Sequence, residues 1–403
     1  MAERVDLLVI GGGMAGSMAA LTAADGGLSV VLVRKGYGAT AISSGAIDFP
    51  EKGALAEGIC QEAAAFFRAK MAAVGYPYKG VPGETATLFT ALGTRKVTTL
   101  YPHSTAAGQE SGLAGSHILF LAVSGLAEYN AAYVARAVKK VCGGNSLETA
   151  AIEVDFPGIR HTHNVLGFEL AQLLDEGETR RQFGEVVAQV ARQSPYTHVA
   201  LPPIIGLERS REAMAELESA CGLPCFELLS PPPSLLGLRL QNALDLALRG
   251  RMRIVHGVVA QIASSGGWIH RINVLDRDTE YILSPEAVVL ASGKFIGGGL
   301  THEGRLREAI LGLPLWLGDV RITGESVRDL SQERFTAPQP FLAIGLRTDG
   351  NLRPLGKDGQ AAYKNLWAAG AILQGHDYTA GCGNLGAALV NGYRIGKWLG
   401  EQR

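Results

Sequence analysis

Four groups of residues in this 403-residue chain have the types and spacing to do chemistry. The first is a glycine cluster near the N-terminus. Gly11, Gly13 and Gly16 stand in G-x-G-x-x-G spacing, with Met14 and Ala15 between the last two. The first glycine permits a tight turn, the second lets a phosphate approach bare backbone, and the third keeps the following helix close to a sheet. Unpartnered amides and the positive end of the helix dipole then face a nucleotide or flavin phosphate. The second group is Ser43, Ser44 and Gly45, in a small, polar stretch where the exit loop of a second strand would pass the cofactor. The third comprises Ser292 with Gly293, and Gly370, each closing a short apolar run, together with Gly383, Asn384 and Leu385 at the opening of a C-terminal helix. A glycine-rich helix start is a second anion cradle, and it would stabilise the negative charge of a reduced flavin. The fourth group is titratable. His302 and His376, beside glycine-rich segments, are candidate general bases, with Glu303 a weaker one. Arg239, Arg305 and Arg307 are candidate phosphate ligands and Lys294 a further cation.

These residues need elements to hold them. Residues 5–10 form an apolar run short enough for a buried strand, 14–24 read as a helix and 28–33 as a second strand. The glycines therefore sit in the strand–turn–helix context that their chemistry requires. The usual dinucleotide fingerprint adds an Asp or Glu after the second strand to hold a ribose diol. Here that strand ends in Arg34-Lys35, Asp25 falls in the preceding turn, and Asp48 comes too late. Three readings stand. FMN needs the phosphate cradle without an adenosine anchor, NADP could place its 2′-phosphate on Arg34, and FAD could bind through backbone contacts.

Downstream, residues 51–110 read as helical and then loop-rich. Strands at 118–123, 151–154 and 198–201 alternate with helices at 129–141, 165–193 and 210–221, the pattern of a parallel α/β layer. Three consecutive prolines at 231–233 mark a stiff junction. Short strands follow at 253–255, 258–264, 268–275 and 281–284, with Gly266-Gly267 as a hairpin turn. Further buried strands at 287–291 and 365–370 and a helix at 387–399 complete the chain. The expected fold is α/β: a Rossmann-like flavin-binding domain made of 1–50 and 235–403, with 51–234 inserted as a helical and α/β domain for substrate or partner.

Composition narrows the classes. With 37 Lys and Arg against 38 Asp and Glu the formal net charge is −1, which argues against a nucleic-acid surface. The longest apolar stretch, near 118–123, is far below the roughly 20 residues of a membrane span. Asp6 and the glycines interrupt what would otherwise imitate a signal peptide. Five cysteines (Cys60, Cys142, Cys221, Cys225, Cys382) are few and odd in number, which suits a reducing, cytoplasmic setting. Cys221 and Cys225 lack the further ligands of an iron–sulfur cluster and are expected to be buried small residues. No metal is expected. Asn242 could bond a cofactor or cap a helix, and Trp316, Trp367 and Trp398 are expected in the core.

The pieces together resemble the B subunit family of the anaerobic glycerol-3-phosphate dehydrogenases. The segments that carry the resemblance are 9–16 (V-I-G-G-G-M-A-G), 43–45 (S-S-G), 124–126 (S-G-L), 231–242 (P-P-P-S-L-L-G-L-R-L-Q-N), 290–300 (L-A-S-G-K-F-I-G-G-G-L), 307–313 (R-E-A-I-L-G-L), 337–340 (A-P-Q-P) and 381–383 (G-C-G). They run nearly end to end. The resemblance implies FMN as cofactor, with FAD the alternative, and oxidation of sn-glycerol 3-phosphate to dihydroxyacetone phosphate together with a flavoprotein A subunit. Electrons would leave through an iron–sulfur C subunit that docks at the inner membrane and feeds the quinone pool. The alternative is a relay role, in which this chain's flavin takes electrons from the A subunit without touching substrate.

Overall fold

The computed structural model describes residues 2–49, 56–144, 146–159, 164–302, 304–334, 336–377 and 384–402. In chain order the longer elements are β1 (Glu3–Ile10), α1 (Met14–Asp25), β2 (Val30–Arg34), α2 (Glu57–Ala73), β3 (His117–Val123), α3 (Ala131–Val141), β4 (Glu148–Val154), α4 (Gly167–Leu173) and α5 (Gly177–Ala191). There follow β5 (His198–Leu201), α6 (Ser210–Cys221), β6 (Cys225–Glu227), α7 (Leu235–Leu248), β7 (Arg253–His256), β8 (Val258–Ser265), β9 (Trp268–Asp276), β10 (Thr279–Leu290), β11 (Leu366–Ala368) and α8 (Asn384–Glu401). The chain forms two compact units, one of residues 1–40, 48–67 and 244–403 and a smaller one of 41–47 and 68–243.

The larger unit is built on a seven-stranded sheet in the order β7-β2-β1-β10-β9-β8, with β11 also pairing β10. The strands beside the glycine turn are parallel and buried where they approach it: all five residues of β2 are buried, as are Leu7 to Ile10 of β1. Helices cover both faces of such a strand, so its sequence is a continuous apolar run and does not alternate. α1 is likewise buried from Met14 to Ala23. It has no polar face because α8 lies against its outer side: a Cβ on Gly392 would stand 2.2 Å from the Ala15 carbonyl oxygen, and one on Gly396 2.5 Å from that of Ala19. Small residues on both helices are what let the two backbones touch.

One expectation is corrected here. The runs at 281–284 and 287–291 are one strand, β10, which ends at Leu290 and changes partner along its length. Its first half pairs antiparallel with β9 (Thr279 to Leu283) and its second half parallel with β1 (Leu283 to Leu290). Pro285 removes one donor from the run, which is why the sequence reads as two pieces.

The smaller unit has a four-stranded, all-parallel sheet in the order β6-β5-β3-β4. Its core includes Leu119, Phe120, Leu121, Phe183, Val199 and Phe226. α3 turns Ala131, Val134, Ala135 and Val138 inward at helical spacing, and the Asn130 side chain accepts from the Tyr133 amide at 2.9 Å as its cap. The helical stretch expected at 165–193 is two helices. It breaks at Asp175, whose carboxylate leaves the helix to accept from the backbone amides of Leu207, Glu208 and Arg209.

Candidate flavin site

Three strands of the larger unit end side by side. Ile10 of β1 is in register with Leu290 of β10, and Leu290 with Ala368 of β11. The crevice outside the carboxyl ends of parallel strands is where an open α/β sheet binds its ligand. The glycine turn lies at that edge. Gly11 has φ +116°, and a Cβ there would stand 2.1 Å from the Ala291 carbonyl oxygen. A Cβ on Gly16 would stand 1.9 Å from the Gly11 carbonyl oxygen. Backbone closes both positions to any side chain. Gly13 differs: its φ of −79° and ψ of −169° suit any residue, and only Thr40 Oγ1, at 3.2 Å, lies near its missing Cβ. The turn itself does not need a glycine there, and the open space beside it is what a phosphate needs.

The first turn of α1 completes the cradle. The Met14 amide donates to Thr40 Oγ1 at 2.9 Å, while those of Ala15 and Gly16 have no intrahelical acceptor. The turn carries no acidic residue and Gly13 offers no side-chain cap, so the positive helix end meets no anion from its own sequence. Behind it, Ser292 follows β10 with a buried hydroxyl that has no hydrogen-bond partner, and Gly293 has φ +71°. Gly370, after β11, has φ +79°, and a Cβ there would stand 2.7 Å from that of Ala15. The structure thus brings Gly11, Gly13, Met14, Ala15, Gly16 and Gly370 to one helix start, with Ser292 and Gly293 on the adjoining strand exit.

Arg34 is neither a solvated strand end nor an open cation. Its Cδ would lie 2.8 Å from a Cβ on Gly12, and its Nη1 donates to Asp245 Oδ1 at 2.5 Å, with both side chains largely buried. Asp245 comes from α7, 211 residues away. A carboxylate does reach the end of the second strand, carried there by a different element. Lys35 is exposed. Asn384 opens α8, its side chain donating to the Asp377 carbonyl, and Leu385 follows, half-buried. Gly383, with Gly381 and Cys382, lies outside the described residues, as does Glu303.

His376 and Lys294 form a buried pair. Lys294 Nζ donates to the carbonyls of Leu342 and His376, tying the β10 exit to two later segments. Burial brings the Lys294 ammonium down to about 7, against the nearby Asp377 charge. Burial, with Lys294 beside it, brings the His376 imidazole down to about 4. Both groups bind fewer protons folded than unfolded, so both make stability rise with pH. The windows run from about 4 to 6.5 for His376 and from about 7 to 10.5 for Lys294. Replacing Lys294 by Met is expected to flatten the rise above pH 7 and to leave below it the part of the rise that burial of His376 sustains, as urea denaturation at stepped pH would show.

The remaining candidates have other surroundings. His302 and Arg305 are exposed, and Arg307 donates from Nε to Thr301 Oγ1. In the smaller unit, Ser43 and Ser44 are half-buried and Gly45 is buried, its carbonyl accepting from the Tyr78 hydroxyl at 2.7 Å. Arg239, in the same unit, donates to both oxygens of Glu227, at 2.6 and 3.0 Å, in a fully buried pair. It is a strut of that unit, not an open phosphate ligand. Asn242 is half-buried on α7. Trp367 is in the core, whereas Trp398, 5.2 Å from it between ring centroids, is substantially exposed. Sequence reasoning missed Thr40 and Asp245. Thr40 lies in the small, polar stretch 39–48, so its neighbourhood was a signal, but nothing local marks Asp245.

An anion cradle at a strand–turn–helix, set beside in-register strand ends, defines a Rossmann-like flavin or dinucleotide protein. The chain belongs to the FAD binding domain family, whose match covers residues 6–79 and 53–385, and so to the flavin-dependent oxidoreductases. It is 29% identical over 98% of its length, and 98% of the relative's, to the B subunit of the anaerobic glycerol-3-phosphate dehydrogenase of Pectobacterium atrosepticum. It is 29% identical over 100% of its length, and 99% of the relative's, to the probable B subunit of that enzyme in Halobacterium salinarum. The open conformation of a flavocytochrome c3 fumarate reductase aligns with 99% of this chain and 78% of that one, at 11% identity and a TM-score of 0.45. The family match favours FAD, the alternative, over FMN. Among the described residues no helix is long and apolar enough to cross a membrane, and no three His, Cys, Asp or Glu side chains are grouped to hold a metal.

The residues present fit a flavin phosphate: two glycines that admit no side chain, a third that leaves open space, a helix start without an acid, and an unsatisfied serine hydroxyl. When bound, the flavin supplies the hydride acceptor. With a flavin in place the start of α1 would face its phosphate and the Ser292 hydroxyl would be available as a donor, while Lys294 ties the β10 exit to the carbonyls of Leu342 and His376.

Proposed function

We propose that this chain is the flavin-bearing B subunit of an anaerobic glycerol-3-phosphate dehydrogenase, oxidising sn-glycerol 3-phosphate to dihydroxyacetone phosphate. The observation that carries the reading is the near-full-length similarity to proteins of that name, coinciding with a complete phosphate cradle in the larger unit. Oxidation of the secondary alcohol removes a hydride from C2 and a proton from its hydroxyl. Of the two histidines, the base is His302, which is exposed, whereas His376 has lost proton affinity through burial and holds the Lys294 tie. Arg305, three residues on and also exposed, is the cation for the substrate phosphate. The cofactor is FAD, with Gly11 to Gly16, Ser292, Gly293, Gly370, Gly383, Asn384 and Leu385 as its binding residues. Asp245 supplies the acid that the sequence lacks after β2. The complex also contains a flavoprotein A subunit and an iron–sulfur C subunit, which carries electrons to the quinone pool and keeps this chain peripheral to the inner membrane on its cytoplasmic side.

The test uses the purified chain with its flavin. Glycerol 3-phosphate is expected to bleach the visible flavin band without the A subunit, and the flavin released on denaturation to chromatograph as FAD. Bleaching only after the A subunit is added would replace this reading with an electron relay. Release of FMN would remove the role given to Asp245.

A further inference from the structure

The smaller unit holds a pair of thiols that the flavin reading does not use. α6 ends on Cys221, Gly222 takes a left-handed φ of +71°, and after Leu223 and Pro224 the chain enters β6 at Cys225. The turn folds back until the two sulfurs are 3.6 Å apart. Glu218 locks it at both ends: its carbonyl accepts from the Gly222 amide at 2.8 Å and its Oε1 from the Cys225 amide at 3.0 Å. Both thiols lie against one acceptor, the Leu223 carbonyl, at 3.6 Å from Cys221 and 3.4 Å from Cys225. Cys225 is buried, while Cys221 is only half-buried. Nothing stands within 4 Å of the missing Gly222 Cβ, so the turn has room to move.

We propose that Cys221 and Cys225 are a reversible dithiol–disulfide couple, oxidised by small-molecule disulfides, with Cys221 as the attacking sulfur. The hydrogen bond from the Cys225 thiol brings Cys221 down to about 7, against its burial and the Glu218 charge, while the same bond and deeper burial push Cys225 up. Cys221 is therefore the thiolate near neutral pH. In the first step its sulfur attacks one sulfur of the small disulfide and releases a thiolate. In the second, the Cys225 sulfur gives up its proton, attacks the Cys221 sulfur and releases the other thiolate. The two protein thiols lose two electrons and two protons, and the small disulfide becomes two thiols. Closure moves the sulfurs from 3.6 Å to about 2.05 Å, across a turn with no regular hydrogen-bond ladder over 222–224. Selectivity follows from the surroundings. Cys142 is hydrogen-bonded to Glu110 and raised to about 11, and Cys60 is buried and raised. Two sulfurs with no third ligand among the described residues suit a covalent bond better than a metal.

The experiment treats the reduced full chain with oxidised glutathione at neutral pH, traps free thiols by alkylation and maps peptides by mass. The wild type is expected to form the Cys221–Cys225 disulfide, reopened by a thiol reductant. Cys225→Ser should stop at a glutathione adduct on Cys221, and in Cys221→Ser the buried Cys225 should react about tenfold more slowly or not at all. Recovery of both cysteines alkylated in the treated wild type would overturn the couple. Equal reaction of Cys225 in Cys221→Ser would overturn the assignment of the attacking thiol. Neither readout depends on flavin or substrate.

Discussion

Replacing Gly13 by Ala is expected to leave a folded protein that has lost its flavin. The added methyl meets only Thr40 Oγ1 at 3.2 Å, and the backbone there is already in a region that alanine adopts freely. Yet the methyl projects into the space the phosphate must enter to reach the Ala15 and Gly16 amides. A loss of tenfold or more in flavin affinity, about 1.4 kcal/mol at least, is expected from a cradle that no longer lets its ligand approach. Flavin absorbance per mole of purified protein reads the loss, and circular dichroism reads the fold. Gly11→Ala is the contrast. Its methyl would lie 2.1 Å from a backbone oxygen in a left-handed turn, so that variant should lose the strand–turn–helix itself. If Gly13→Ala purifies with full flavin, the cradle is not where the phosphate sits.

Glu227→Gln is expected to be the most destabilising change to a single side chain in the smaller unit, by about 3–5 kcal/mol, because it strands a buried guanidinium charge. Arg239 is 1% exposed and Glu227 0%, and Glu227 also accepts from the Ile205 amide at 2.8 Å. Restoring neutrality should recover most of the loss: the double variant Glu227→Gln with Arg239→Met, which keeps an acceptor for the Ile205 amide, is expected to unfold in urea much closer to the wild type than Glu227→Gln alone does. If the single and double variants are equally unstable, the ion pair is not what holds this part of the unit. The outcome bears on how 231–242 is understood. That stretch, among the most particular in the chain, offers an arginine that looks like a phosphate ligand but is spent inside the fold.

The amino-acid sequence by itself determined the parts of this protein whose causes are local. Gly11, Gly13 and Gly16 were legible as a cradle because a turn and the first helical residues fall within six positions, and Gly16 is closed by the Gly11 carbonyl just before it, although the oxygen that closes Gly11 itself belongs to the distant Ala291. The buried parallel strands were legible as unbroken apolar runs, and the α/β order of the smaller unit as alternating runs and helical periods. What depends on distant partners was not legible. The carboxylate that pairs with Arg34 at the end of β2 is Asp245, from 211 residues away, and His376 meets Lys294 across 82, so one candidate base is buried and short of proton affinity. The cysteines at 221 and 225 are four residues apart in any reading, but only the left-handed turn at Gly222 sets their sulfurs together. Local sterics and periodicity are written residue by residue, whereas ion pairing and burial belong to whichever side chains the finished fold brings into reach.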